Sequence, residues 1–82
     1  MDNAAISTVF SQMADVMEIL GEDRFRINSY RTVARVIGEM PADAAHLLES
    51  GELAQTPGIG KSSLAKIEEF VRTGAVQAHR EL

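Results

Sequence analysis

The chain has 82 residues, a formal net charge of −4 and no cysteine. That length makes one small domain with a modest core, and the missing thiols exclude a disulfide framework and any thiolate metal site. No apolar run approaches the roughly 20 residues of a membrane span and no signal-peptide pattern is present, so a cytoplasmic protein without membrane contact is expected.

Ile6, Val9, Phe10, Met13, Met17 and Leu20 recur at three- and four-residue steps and predict a first amphipathic helix. Asp2 or Asn3 is placed to cap it, and Gly21 to end it. After the polar break Gly21-Glu22-Asp23, a second helix is predicted from about Arg24 to Met40. Its stripe is Ile27, Tyr30, Val33, Ala34 and Ile37, and Pro41 closes it. A short third helix over about Asp43 to Glu49 holds Ala44, Leu47 and Leu48, with Asp43 as cap and Gly51 as stop. Leu53 to Gln55 reads as a brief turn leading into a tight hairpin at Pro57–Gly60. The fourth helix is predicted from about Lys61 to Arg72, with Leu64, Ile67 and Val71 buried and Phe70 beside them; Thr73-Gly74 ends it. The tail from Ala75 to Leu82 has a helical look but little apolar content, as in a frayed terminus or a piece of a longer chain. No strand pattern or internal repeat is visible. The expectation is an all-α domain: four compact helices and a short helical tail.

Charge is unevenly placed. Net acidity argues against a nucleic-acid partner, yet Arg24, Arg26, Arg31 and Arg35 fall in a stretch that has no acid as far as Gly38. The two lysines, Lys61 and Lys66, both follow the turn Thr56-Pro57-Gly58-Ile59-Gly60. Brought together by the fold, these two segments would form a cationic face on an acidic body; left apart, the arginines are merely solvated. The glycines lack the Cβ atoms that would hold a ligand off the backbone. Successive N–H groups in such a turn, with the positive end of the following helix, suit a phosphate. No side chain there reads a base, so the expected ligand is a sugar-phosphate backbone, bound at Gly58, Gly60, Lys61 and Ser62. The plain alternative is an ordinary tight connection between two helices with no ligand. Against it, Leu53, Ile59, Leu64, Ala65 and Ile67 place apolar residues on both sides of the glycines, so a short helix, the turn and a second helix would pack through a small-residue contact at Ala65. Gly60-Lys61-Ser62 is not the end of a nucleotide-binding P-loop, because that motif needs glycine where Gln55 stands.

Lys66 lies one turn into the fourth helix, at the edge of its apolar stripe at about 100° per residue. It is either an amine nucleophile or a lysine that covers apolar surface and touches a phosphate. Tyr30 either edges the core or lines a phosphate pocket. Phe25 either stacks on an unpaired base or staples the second helix into the core. The histidines His46 and His79 stand far apart without carboxylates at ligand spacing, so no zinc site is expected. The four aspartates are scattered without an Asp-x-Asp pair, which leaves no site for metal-assisted nucleotidyl transfer.

Two blocks carry a resemblance. The run Gly21-Glu22-Asp23-Arg24-Phe25-Arg26-Ile27-Asn28-Ser29-Tyr30-Arg31 with Ala34-Arg35-Val36-Ile37 resembles the N-terminal domain of family X DNA polymerases. So does Leu53-Ala54-Gln55-Thr56-Pro57-Gly58-Ile59-Gly60 with Ala65-Lys66-Ile67-Glu68-Glu69-Phe70 and Thr73-Gly74. This is the small lyase-type domain of polymerase beta and its bacterial relatives, and the likeness runs from about Ala4 to Leu82. It implies a four-helix domain with one helix-hairpin-helix over about residues 53–72, binding gapped or nicked duplex DNA near a 5′-phosphate in DNA repair, with a covalently linked polymerase domain in the full-length protein. It further implies a Schiff-base lysine for 5′-deoxyribose-phosphate elimination at Lys66, a pocket tyrosine at Tyr30 with Arg26 beside it, and a base-stacking position at Phe25. Arg31 and Arg35 would extend the DNA contact. No cofactor is required, but the hairpin of such domains often holds Na+ or K+ on backbone carbonyls, here those of Ala54, Thr56 and Ile59.

The chain departs from that pattern where charge matters most. Two lysines of the family's phosphate pocket correspond to Ala54 and Ser62, a third to Ala78, and the acid before the nucleophile to Ala65. Fewer cations mean weaker, more salt-sensitive binding. The rival expectation is a helical protein-interaction module whose hairpin is structural and binds no DNA.

Overall fold

The computed structural model describes residues 2–74, so the tail from Ala75 to Leu82 and its Ala78 lie outside the described residues. Four helices, α1 (Asn3–Ile19), α2 (Arg24–Glu39), α3 (Ala44–Ser50) and α4 (Lys61–Thr73), are joined in order, with one 3₁₀ turn at Leu53–Gln55 before the hairpin. No strand occurs among the described residues, as the all-α expectation requires.

Asp2 is the α1 cap: its side chain accepts from the Ala5 N–H at 2.8 Å. Asn3 does something the periodicity did not suggest. Its Nδ2 donates to the Ala42 carbonyl at 2.7 Å and its Oδ1 accepts from the Ala44 N–H at 2.8 Å, clamping the start of α1 to the α2–α3 link. Asn3→Ala is expected to cost about 1–2 kcal/mol, read as a fall of about 5–10 °C in Tm by circular dichroism.

The other end of α1 corrects one expectation. Leu20 is not buried; it is 63% exposed. The helix stops at Ile19, and Gly21, at φ +75°, turns the chain left-handed. The Gly21 N–H bonds to the Glu18 carbonyl and the Glu22 N–H to the Met17 carbonyl, the pairing of a Schellman stop. Leu20 is the C-cap itself, its N–H still bonded to the Val16 carbonyl, and its side chain lies outside the core. Ala14 completes the buried stripe of Ile6, Phe10, Met13 and Met17 instead.

α1 and α2 run antiparallel. Ser7, near the start of one, donates to the Ala34 carbonyl late in the other at 2.7 Å, while Glu18 at the far end meets Arg24. Gly38 lets them approach, since a Cβ there would stand 3.1 Å from Ser7 Oγ. Phe10 and Tyr30 meet in the core with ring centroids 5.6 Å apart, a tilted arrangement favoured by ring quadrupoles. Met40, held extended before Pro41, ends α2.

α4 is rotated from its expected register. Ser63, Ile67 and Phe70 are its buried residues, and Leu64 and Val71 are partly buried against the core. Ala65 is exposed, so the small-residue contact expected there is not made. Ser63 is the small buried residue, about 200° round the helix from Ala65. Aliphatic spacing alone centred the stripe on Leu64, Ile67 and Val71, whereas burying Phe70 fully pulls the face toward Ser63.

Candidate nucleic-acid interface

Thr56-Pro57-Gly58-Ile59 is a type II turn. The Ile59 N–H donates to the Thr56 carbonyl at 3.2 Å, and Gly58 at the third position has φ +92°. Proline presets the second position of such a turn, and the third favours glycine. Leu53 before the turn and Ile59 at its end are both buried, so the glycines are held between two core anchors.

Gly58 seats the hairpin on α2. A Cβ there would lie 3.1 Å from Thr32 Cγ2 and 3.2 Å from Val36 Cγ2. Thr32 and Val36 were not foreseen as site residues. They stand beside the buried stripe with no charge to mark them, and only the packing of the turn reveals their part.

Gly60 is different. Its backbone (φ −82°, ψ 170°) suits any residue, and a Cβ there would meet nothing within 4 Å. It is the N-cap of α4 but offers no side-chain cap, so the amides of Lys61, Ser62 and Ser63 have no intrahelical acceptor. Lys61 is exposed, and among the described residues it has no ion-pair partner. Lys66 is partly exposed at the edge of the buried face; its Nζ donates to Ser62 Oγ at 3.0 Å and lies 5.7 Å from the Tyr30 ring centroid. The hairpin residues Gly58, Gly60, Lys61 and Ser62 are thus assembled with Lys66 and with buried Tyr30.

The carbonyls of Thr56 and Ile59 belong to this turn, and that of Ala54 to the 3₁₀ segment just before it. They are neutral oxygen donors of the kind hard cations take, and the turn bond to Thr56 leaves that oxygen a second lone pair.

The arginines are disposed otherwise. Arg31 and Arg35 precede Thr32 and Val36 by one residue, about 100° round α2 from the side that seats the hairpin. Arg31 reaches α1, with Nη1 3.1 Å from Asp15 Oδ1 and Nη2 2.8 Å from Glu18 Oε2. Arg24 Nη1 lies 3.0 Å from the other oxygen of Glu18. Arg26 stands 4.0 Å from Glu22, and Arg35 lies 3.4 Å from Glu39. The Arg24 hydrogen bond first, then that of Arg31, holds the Glu18 carboxyl below the usual carboxylate range. The hydrogen bond to Asp15 raises Arg31 above its ordinary value. Each arginine of the basic stretch therefore already has a carboxylate partner.

Phe25 does not staple the helix start: it is 86% exposed. Seven residues before Thr32, it shares the hairpin side of α2, about 10 Å along the axis. A groove between α3 and α4, lined by His46, Glu49, Glu68 and Arg72 among others, lies toward the opposite end of α4 from Lys61. No three histidine or carboxylate side chains gather as metal ligands among the described residues, and no helix there is long and apolar enough to cross a membrane.

A short 3₁₀ segment, a glycine turn and a helix with an open N-terminus, seated together on a longer helix, make this a helix-hairpin-helix protein. The chain belongs to the helix-hairpin-helix domain family, which matches it over residues 1–76. Domains of this kind generally bind DNA.

Proposed function

We propose that this domain binds DNA through its sugar-phosphate backbone, without reading sequence, at gaps or nicks that offer a 5′-phosphate. One observation carries the proposal. The fold needs glycine at position 58, but nothing among the described residues needs it at position 60. A side-chain-less residue there leaves the α4 amides open to an anion, and Lys61 and Ser62 add donors beside them. A monovalent cation on the carbonyls of Ala54, Thr56 and Ile59 would bridge the turn to a neighbouring phosphate. Phe25, exposed on the same side of α2, supplies a ring on which an unpaired base at the gap would stack. Arg26 and Arg35, each with a single carboxylate beside it, extend the surface. Lys66 stands where a 5′-deoxyribose-phosphate aldehyde would meet an amine, and a linked polymerase domain would complete the repair reaction.

A second reading is favoured by one observation, the pairing of every α2 arginine in this acidic protein: a helical protein-interaction module that binds no DNA. A titration of gapped duplex between about 50 and 200 mM salt separates the two. DNA binding predicts an affinity that falls steeply with salt, and Lys61→Ala should make log K against log salt shallower by about 0.9. Weak binding that does not change with salt supports the interaction module.

A further inference from the structure

The α1–α2 edge answers a question the proposed function raises: why a basic helix that could hold DNA is covered by the protein's own acids. Two kinds of pair occur there. Arg26–Glu22 and Arg35–Glu39 are four-residue neighbours along the chain, Glu22 lying just before α2 and Glu39 at its end, each a single contact of 4.0 and 3.4 Å. Arg31 and Arg24 are held across the helix interface, by Asp15 and Glu18 of α1 at 2.8 to 3.1 Å. Glu18 uses both oxygens, one for each arginine. Arg31 uses both terminal nitrogens, one for each acid. A guanidinium recognises phosphate with that same fork of donors, so Asp15 and Glu18 occupy the positions that phosphate oxygens would take.

We infer that Asp15 and Glu18 are built-in competitors of DNA phosphate for Arg24 and Arg31, and that these two carboxylates set the strength and salt sensitivity of DNA binding. The inference rests on the proposed function. Contact between a phosphodiester and Arg31 is an exchange: one shared negative charge arrives while two carboxylates are uncovered beside the DNA. A carboxylate left without its arginine takes up a cation from solution, which offsets the counterion that the phosphate releases. The exchange therefore adds little affinity and little salt dependence. Binding is left chiefly to the hairpin and Lys61, and the broad basic helix does not adhere to any duplex it meets.

Asp15→Asn/Glu18→Gln in the full chain tests this by fluorescence anisotropy on gapped duplex across a salt series. The amides keep the shape of the acids and remove their charge. The expected result is roughly three- to tenfold tighter binding at low salt, with a salt slope steeper by about one to two. Glu49→Gln/Glu68→Gln changes net charge equally at carboxylates that make no ion pair with an α2 arginine among the described residues. It should change both quantities far less. The gain should also vanish when Arg24 and Arg31 are alanine. Binding by Asp15→Asn/Glu18→Gln no tighter than by the control pair overturns the inference, as does a gain that survives loss of the arginines. If the double variant loses its helical circular dichroism, Asp15→Asn alone carries the same test, with a slope change of about one. The two levels fail separately. Wild-type binding that weakens on Gly60→Ala but ignores Asp15 and Glu18 removes only the competitor role. No binding by any variant removes the proposed function and this inference together.

Discussion

Gly58→Ala is expected to destabilise the domain by about 2–4 kcal/mol, while Gly60→Ala, two residues away, changes stability by less than about 1 kcal/mol. The asymmetry follows from backbone and neighbours. At position 58 an L side chain meets φ +92° and two methyl groups at 3.1 and 3.2 Å. The left-handed conformation alone costs about 1–2 kcal/mol, and crowding against Thr32 and Val36 adds to it. At position 60 the backbone is ordinary and the space is open, so only a modest change in capping remains. Thermal unfolding reads the difference directly: about 10–25 °C for Gly58→Ala, at roughly 4–8 °C per kcal/mol in a domain of this size. DNA binding should reverse the order among folded proteins. A methyl group at position 60 stands between the α4 amides and an approaching phosphate, and a loss of about tenfold or more in affinity is expected. Gly60→Ala that binds gapped duplex as tightly as wild type would remove the main support for phosphate capture. Gly58→Ala with an unchanged Tm would show that the turn does not seat on α2 as described.

The two glycines also show what a sequence can disclose. Pro-Gly within a turn between helical stripes specifies the type II geometry, because only that order of residues suits its second and third positions. The helices were legible for a similar reason: Ile6, Phe10, Met13 and Met17, or Ile27, Tyr30, Val33 and Ile37, repeat at helical spacing. Legibility stopped where spacing ceased to decide. Leu20 continues the α1 pattern numerically, but it is the C-cap, one residue before the left-handed Gly21, and stands 63% exposed outside the core. Phe70 outweighs Leu64 and Val71 in choosing the α4 face, which periodicity does not weigh. The arginine stretch looked cationic because its counter-charges lie just outside it, Glu22 and Glu39 at its two ends and Asp15 and Glu18 in α1. Asp15 and Glu18 become partners of Arg31 only once α1 and α2 pack antiparallel. Asn3 becomes a clamp only when the α2–α3 link returns beside it.

Borohydride trapping on a 5′-deoxyribose-phosphate end is expected to give a covalent adduct with the wild-type protein and to lose most of it in Lys66→Ala. In the proposed chemistry Lys66 Nζ adds to the C1′ aldehyde and water leaves, forming an imine. A base removes a C2′ proton, the C3′–O bond breaks, and the DNA 5′-phosphate departs. Borohydride reduces the imine to a secondary amine and fixes the cross-link. The lysine is partly exposed, beside Ser62 at the start of α4, with its Nζ 5.7 Å from the Tyr30 ring centroid. The neighbourhood is thin, because alanine stands at position 54 and serine at 62 where the resemblance implies lysines, so cations that would steady the departing phosphate are few. Slow elimination relative to imine formation is therefore expected, with adduct accumulating before product. Lys61 and the chain's α-amine can also form imines and set the background that Lys66→Ala retains. Tyr30→Phe should keep the adduct if the ring only packs, and lower it if the hydroxyl helps hold the sugar. Equal trapping by wild type and Lys66→Ala would assign the chemistry to another amine, that of Lys61 or the chain's α-amine, and leave Lys66 as a phosphate contact.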